Sequence, residues 1–313
     1  MLKFIGILLI IIILLIAAGY LYLRHWAYFF VDAVLQRDNL WYEEDGRQML
    51  NPGWKKQEVI QTNETFWQTK QTWRLATADG LRLQAAFFDG GSHNWVVCFH
   101  SYRSDGARDM ARIAEHYYQA GYNVLVPDLR AHGESQGEII GLGWLDRLDV
   151  IAWVQKIVEH DADAKIILQG ESIGAAAILM ASGEKLPSNV KLLISDSSYT
   201  SVYSEFHWML RKLTKYPINR FMKLANKYAK KKLGYSLRHA SVTRQLGSNH
   251  LPVLFLHGRK DQFIPVKETA TLMEATAGEK QLKIFDGADH LQAKVTNTDE
   301  YWQTISDFIK KYF

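Results

Sequence analysis

The sequence contains a single cysteine, Cys98, so the chain cannot form an internal disulfide bond. Cys98 lies in the apolar run Trp95–Phe99, and this position predicts a buried strand residue rather than a reactive thiol. Charge is also modest, because 37 basic and 33 acidic residues leave a formal net charge of +4. Bulk charge therefore gives no reason to expect nucleic acid as a partner, and no motif that reads nucleic acid occurs in the sequence.

Metal-binding patterns are missing from the sequence as well. It has no His-Glu-x-x-His pattern and no Cys/His cluster, so we expect no metal and no other cofactor. Internal repeats are absent, and the only low-complexity segment is the apolar N-terminus. The 313 residues, of which 48% are hydrophobic and 22% charged, suffice for a globular protein with a sizeable core.

The N-terminal segment from Phe4 to Leu23 has no charged residue. About 20 such residues in a helix span the hydrocarbon core of a bilayer, whereas a secretory signal has a shorter apolar region. The segment therefore predicts an uncleaved transmembrane signal-anchor over residues 1–23, with cleavage near Ala17-Ala18-Gly19 as the weaker alternative. Six aromatic residues would then form an interfacial belt at its outer end: Tyr20, Tyr22, Trp26, Tyr28, Phe29 and Phe30.

Charges beside the anchor do not decide its orientation, because basic groups flank both ends. A short N-terminal tail before a signal-anchor usually stays in the cytoplasm. We therefore expect a single-pass cell-membrane protein whose larger, C-terminal part lies outside the cytoplasm. Residues 24–72 are predicted to be a juxtamembrane connector.

Strands and helices alternate over residues 73–313. Short apolar runs predict strands at 95–99, 122–126, 165–169, 191–195, 252–256 and 281–285, after a hairpin at 73–88 that turns at Ala78-Asp79-Gly80. Helical segments separate them at 108–120, 144–158, 175–180, 266–276 and 300–312. Strands that are apolar throughout and alternate with helices indicate a mostly parallel, doubly wound α/β sheet covered on both faces.

The alternation breaks once, between residues 195 and 252, where the interval is too long for a loop. It predicts a helical cap over about residues 199–250. Glu205 is the only acidic residue from Ser204 to Gly247. The basic residues there are Arg211, Lys212, Lys215, Arg220, Lys223, Lys227, Lys230, Lys231, Lys232, Arg238 and Arg244. Two interpretations stay open: a solvated helical face, or a lid that faces an anionic membrane surface or an acidic ligand.

The sequence Gly170-Glu171-Ser172-Ile173-Gly174 joins an apolar strand to an Ala-rich helix. A strand that turns into a helix this sharply holds its central residue in a strained conformation, and the flanking glycines remove side chains that would collide. Ser172 would thereby lie over the end of the sheet, beside the positive end of the following helix. This context predicts that Ser172 is a nucleophile.

A serine nucleophile needs a base and an acid that orients the base. In the chain order that accompanies this turn, the acid and then the histidine follow the serine on loops after later strands. His290 comes directly after the last predicted strand and is the expected base. Asp261 follows the penultimate strand and is the expected acid, with Asp196 after residues 191–195 as the competing choice.

Two backbone N–H groups are expected to stabilise the oxyanion. One belongs to Ile173, the residue after the nucleophile. The other comes from the loop His100–Asp105 after the first buried strand, where Tyr102 is the expected donor.

Five stretches resemble those of the α/β-hydrolases. The resemblance is strongest to bacterial membrane-anchored members of the prolyl-oligopeptidase-like and serine-aminopeptidase-like branch. The matching stretches are 98–102, 126–135, the Gly170–Gly174 turn, 257–261 with Ile264-Pro265, and 287–290. The resemblance implies an α/β-hydrolase domain over 73–313 with Ser172, Asp261 and His290 as its triad. One residue departs from the family pattern, because Ser101 stands where the family usually has Gly, and its Cβ could tighten or misplace the oxyanion loop.

Arg130 and His132 lie on a loop that in this fold usually carries structural hydrogen bonds, so we do not assign them to catalysis. The sequence as a whole predicts a serine hydrolase that cleaves a small-molecule carboxylic ester through an acyl-enzyme; a thioester or amide is a weaker expectation. Two alternatives remain, a serine peptidase of the aminopeptidase-like branch and a catalytically idle cell-surface binding module. A peptidase would need acidic groups in the cap to hold a substrate amine, and Glu205 is the only candidate.

Overall fold

An eight-stranded sheet forms the centre of the computed structural model, which describes residues 2–39, 64–213 and 218–313. The strands are β1 (Gln71–Ala76), β2 (Arg82–Phe88), β3 (Asn94–Phe99), β4 (Asn123–Pro127), β5 (Lys165–Glu171), β6 (Val190–Asp196), β7 (Val253–Gly258) and β8 (Lys280–Phe285). Their order in the sheet is β1-β2-β4-β3-β5-β6-β7-β8. β2 pairs antiparallel with β1 and β4, and the remaining neighbours are parallel.

Helices cover both faces of this sheet, as the alternation of apolar segments predicts. They are α1 (Leu2–Leu35), α2 (Glu64–Gln68), α3 (Ala111–Gln119), α4 (Asp146–His160), α5 (Ile173–Ala181), α6 (Val202–Leu213), α7 (Ile218–Leu233), α8 (Val242–Leu246), α9 (Lys267–Ala275), α10 (Ala293–Thr296) and α11 (Thr298–Tyr312). A π-helical turn, Gly106–Met110, precedes α3. One apolar cluster lies on the face covered by α4 and α5, and a second lies on the face covered by α3 and α11. The predicted α/β fold is confirmed.

Helix α1 continues without a break past residue 23, the expected end of the anchor. It is long and apolar enough to cross a membrane, and most side chains between Phe4 and Ile16 are exposed. In its C-terminal third, however, Ala27, Val31 and Leu35 are completely buried. This end of α1 is therefore part of the protein core. Residues 40–63 of the predicted connector lie outside the described residues.

The expected aromatic belt on α1 is divided between two surroundings. Tyr20, Tyr22 and Trp26 are exposed. Phe30 is buried and makes edge-to-face contact with Phe206 of α6, at 5.5 Å between ring centroids. Phe30 therefore packs inside the protein and does not belong to an interfacial belt, because the cap covers that side of the helix.

The cap residues form α6, α7 and α8, and an antiparallel bridge between Ser201 and Ser241 closes its base. The apolar face of α7, which includes Phe221 and Ala225, is buried against α1. The opposite face carries exposed lysines such as Lys230 and Lys231. Not every predicted cation is available to a partner, because Lys232 forms an ion pair with Asp32 of α1. Lys215 lies outside the described residues.

Candidate active site

Ser172 occupies a strained turn between β5 and α5, with φ 52° and ψ −111°. Positive φ is uncommon for residues other than glycine and costs about 1–3 kcal/mol. The backbone around the turn leaves no room for a Cβ atom at Gly170 or Gly174. A Cβ on Gly174 would lie 2.3 Å from the carbonyl oxygen of Phe99, and one on Gly170 would lie 2.4 Å from the carbonyl carbon of Gly174. The sequence pattern thus produces the sharp strand-to-helix turn for the steric reason expected.

Asp261 and His290 meet at the carboxyl end of the sheet, on the loops that follow β7 and β8. Asp261 Oδ2 lies 2.7 Å from His290 Nδ1. The other oxygen, Oδ1, accepts hydrogen bonds from the backbone N–H groups of Phe263 (2.9 Å) and Ile264 (2.8 Å). These contacts fix both the carboxylate and the imidazole ring in one orientation.

A second histidine also contacts the Asp261 carboxylate. His257 Nε2 lies 3.1 Å from Asp261 Oδ2. Burial alone would raise the pKa of Asp261, but the adjacent His290 and His257 hold that pKa well below its usual range. Asp261 is therefore an ionised carboxylate near neutral pH, as a group that orients an imidazolium must be.

Ser172 opens onto a narrow cavity of about 40 Å³. This volume has room for about three water molecules. The lining residues are Val34, Tyr102, Leu142, Ser172, Ile173, Tyr199, Val202, Glu205, Phe206, Met209 and Phe263. Both expected oxyanion residues, Tyr102 and Ile173, are thus beside the expected nucleophile. His290 is close to the same cavity, since its ring centroid lies 5.0 Å from that of Phe263.

The oxyanion loop is fixed through Ser101, the residue that departs from the family pattern. Ser101 N and Oγ both donate to Asp109 Oδ2, at 2.9 and 2.6 Å. The side chain at this position therefore adds a hydrogen bond that ties the loop to the helical turn behind it. Of the two expected effects of a Cβ here, these contacts favour a tightened loop over a misplaced one.

Arg130 and His132 have structural roles in their loop. Arg130 forms a bidentate pair with Asp149, both N···O distances being 2.7 Å, and both side chains are buried. His132 Nε2 accepts a hydrogen bond from the N–H of Arg103 at 3.0 Å. Burial, followed by the nearby His100, holds the pKa of His132 well below its usual range, so this acceptor nitrogen stays unprotonated. These contacts agree with leaving both residues out of catalysis.

Asp196, the competing acid, is occupied elsewhere. Its Oδ1 accepts from Ser197 Oγ at 2.8 Å, and its Oδ2 accepts from the Tyr301 hydroxyl at 3.2 Å. Asp289, the neighbour of His290, accepts hydrogen bonds from the backbone N–H of His290 at 2.7 Å and of Gln262 at 3.1 Å. Asp289 therefore ties the acid loop to the histidine loop.

Sequence reasoning missed three residues of this site. The sequence analysis assigns no role to His257, although it lies four residues before Asp261 and contacts the Asp261 carboxylate. Glu205 was noted as the lone acid of the cap, but its place in the cavity was not foreseen. Val34 had no signal at all, because it lies in the segment that the sequence predicts to be a juxtamembrane connector.

This chain is similar in sequence to several bacterial proteins and similar in fold to solved esterase structures. The family model for serine aminopeptidase, S33, matches residues 91–236. The Bacillus subtilis protein YqkD is 27% identical over 194 residues, which are 62% of this chain and 64% of YqkD. The Escherichia coli K12 protein YfhR is 25% identical over 240 residues, 74% of this chain and 77% of YfhR. The match thus spans slightly less than two thirds of YqkD.

Among solved structures, the Pyrococcus furiosus esterase Pf2001 superposes with a TM-score of 0.65 at 23% identity, over 78% of this chain and 91% of that esterase. An identity this low establishes a shared fold only. The chain therefore has the α/β-hydrolase fold, and its residues 91–236 match the model of a hydrolase family.

We predict that Asp261→Asn lowers the kcat for 4-nitrophenyl butyrate by about 10³–10⁴-fold, because an asparagine favours the wrong imidazole tautomer of His290. Asp196→Asn is the matched control, since it removes another buried carboxylate, whose oxygens accept hydrogen bonds from Ser197 and Tyr301. It should keep most of the activity. If Asp196→Asn were the more damaging change, the acid would have to be assigned to the end of β6.

Proposed function

We propose that the protein is a serine hydrolase that cleaves a carboxylic ester through an acyl-enzyme on Ser172. The observation that carries this proposal is the serine held at positive φ on the cavity, with the Asp261–His290 pair at 2.7 Å beside it. Hydrolysis by this arrangement needs no cofactor. A thioester or an amide would follow the same steps, with a thiol or an amine as the leaving group in place of the alcohol.

In the proposed reaction, Ser172 Oγ attacks the ester carbonyl carbon while His290 Nε2 takes its proton. The carbonyl oxygen becomes an oxyanion that the N–H groups of Ile173 and Tyr102 stabilise. Collapse of this intermediate breaks the bond to the alcohol, which leaves with the proton from His290. Water then attacks the acyl-enzyme, again with His290 as base, and releases the acid. Asp261 holds the Nδ1–H throughout and stays ionised.

The lining of the cavity supports an uncharged substrate. Most of its side chains are apolar, and Glu205 is the only acidic residue among them. Glu205 Oε1 has no hydrogen-bond partner among the residues that the structure describes. Burial raises the pKa of Glu205 well above its usual range, and nearby Glu268 raises it further. The neutral form of its carboxyl group is thereby favoured, and a neutral acid can donate a hydrogen bond but attracts an ammonium group only weakly.

The first test of the proposal is covalent labelling with a fluorophosphonate probe. Ser172→Ala should abolish labelling, because the reacting oxygen is gone. Ser197→Ala is the matched control, since Ser197 is also buried, also has positive φ (56°) and follows the next strand of the sheet. Labelling that survives in Ser172→Ala would refute the assignment of the nucleophile. No labelling of the folded wild type would favour an idle binding module.

Glu205 also distinguishes the ester proposal from the aminopeptidase alternative. An ionised Glu205 could bind a substrate ammonium group through its unpaired Oε1 and would favour the aminopeptidase. We expect Glu205→Gln, which replaces a neutral acid by a neutral amide, to change the kcat/KM for 4-nitrophenyl esters by only a few-fold. If Glu205 instead paired with a substrate ammonium, Glu205→Gln would lower the kcat/KM for aminoacyl 4-nitroanilides by about 2–5 kcal/mol, or at least 30-fold. Aminoacyl 4-nitroanilides assayed beside the esters separate the two outcomes, with Ser172→Ala as the blank.

We further propose that α1 tethers the protein to the cell membrane as a single span and that the exposed basic face of α7 faces an anionic leaflet. The distance supports this arrangement, because Tyr228 of α7 stacks on Tyr28, only five residues after Leu23 and about 8 Å away at helical rise. A basic residue near such a surface contributes about 1 kcal/mol, and the attraction fades over roughly 8 Å in physiological salt.

This membrane proposal predicts that a chain lacking residues 2–19, which keeps the buried end of α1, still binds anionic vesicles in low salt and releases in high salt. Lys230→Glu with Lys231→Glu should reduce this binding strongly. Lys310→Glu with Lys311→Glu, an equally exposed adjacent pair on α11, is the control and should change it little. Equal binding to neutral and anionic vesicles would mean that the basic face is only a solvated surface.

A further inference from the structure

One wall of the Ser172 cavity comes from the anchor helix. Val34, in the last turn of α1, lines the cavity together with Ser172 and Tyr102 and is only 2% exposed. Val31, one turn earlier on the same helix, is also completely buried but does not line the cavity. The end of α1 thus contributes one specific side chain to the site.

The backbone around Val34 is hydrogen-bonded to the oxyanion loop. The Tyr102 hydroxyl donates to the carbonyl oxygen of Val34 at 2.7 Å. The Arg103 guanidinium donates to the carbonyl oxygens of Ala33 (2.8 Å) and Gln36 (2.5 Å). These carbonyls belong to the C-terminal end of a helix, where they lack intrahelical partners and attract a cation. Val34 is therefore held in a fixed position relative to the loop that carries Tyr102.

The cap holds the same helix from the other side. Tyr28 stacks on Tyr228 with ring centroids 3.9 Å apart, and Phe30 contacts Phe206. Phe206 also lines the cavity. Since the helix and the cap are packed against each other, neither wall can withdraw without breaking these contacts, and the space next to Ser172 has a defined size.

We propose that Val34 is a specificity-determining residue, through which the anchor helix limits the length of the acyl group that the enzyme accepts. This inference rests on the proposed function. In an acyl-enzyme the acyl chain is attached to Ser172 Oγ and has to occupy the apolar space beside it. That space is about 40 Å³, and the isopropyl group of Val34 occupies volume into which a longer chain would extend.

The test compares full-length wild type, Val34→Ala and Val31→Ala in detergent micelles, using 4-nitrophenyl acetate and 4-nitrophenyl hexanoate. Both substitutions remove the same atoms from the same buried helix, but only one enlarges the cavity. Because one methylene in an apolar pocket changes selectivity by at least about tenfold, we expect Val34→Ala to raise the hexanoate-to-acetate ratio of kcat/KM by about tenfold. Val31→Ala should leave the ratio unchanged.

A ratio of two substrates does not depend on the active fraction, so partial unfolding of a variant does not obscure the result. Val34→Ile provides a second arm and should lower the ratio. The inference about Val34 is wrong if Val34→Ala and Val31→Ala shift the ratio equally. It is also wrong if Val34→Ala and Val34→Ile both leave the ratio unchanged. In either case the hydrolase proposal stands as long as Ser172 reacts with fluorophosphonate. If Ser172 is not labelled and no ester is cleaved, the proposed function fails and this inference fails with it.

Discussion

The close approach of two backbone segments at the Ser172 turn is the constraint on which the site depends. Gly174, in the first turn of α5, lies against the carbonyl oxygen of Phe99 at the end of β3. The oxyanion loop begins at the very next residue, His100. The same contact that forces glycine at position 174 therefore also sets the separation between Ser172 and the loop carrying Tyr102. Any side chain at Gly174 would push these two parts of the site away from each other.

The buried carboxylate of Asp261 organises the other half of the site. An ionised group in a protein interior is stable only when its oxygens are hydrogen-bonded. Here two backbone N–H groups and two histidines surround Asp261. This complete set of partners keeps the acid ionised, and Asp289 links its loop to the histidine loop. The same hydrogen bonds therefore orient Asp261 toward His290 and stabilise its buried charge.

Helix α1 joins its exposed apolar N-terminal part to the rest of the protein more closely than a flexible tether would. Its last turn is bound by Arg103, a residue with φ 53°. Such a conformation is unfavourable for a non-glycine residue unless neighbouring contacts maintain it. The backbone N–H of Arg103 is bonded to His132, and its guanidinium is bonded to α1. The conformation of the oxyanion loop and the position of the anchor helix are therefore coupled.

Much of this protein follows from its sequence alone. The apolar runs predicted the parallel sheet, because strands covered on both faces have no polar side. Ser172, Asp261 and His290 could be assigned as candidates because each directly follows a recognisable strand, and the carboxyl ends of parallel strands meet at one edge. Local pattern is sufficient for such residues, since the topology of the sheet brings them together.

Only the tertiary structure decided what covers the site. The apolar character of Val34 is the same for a lipid-facing, a core or a cavity residue, so its sequence context could not distinguish these surroundings. Glu205 could be recognised as a lone acid, but its burial depends on how α6 packs over Ser172. The contact between His257 and Asp261 depends on the path of the loop after β7. In each case the chemistry is set by neighbours distant in sequence or by loop geometry, to which periodicity and local motifs do not respond.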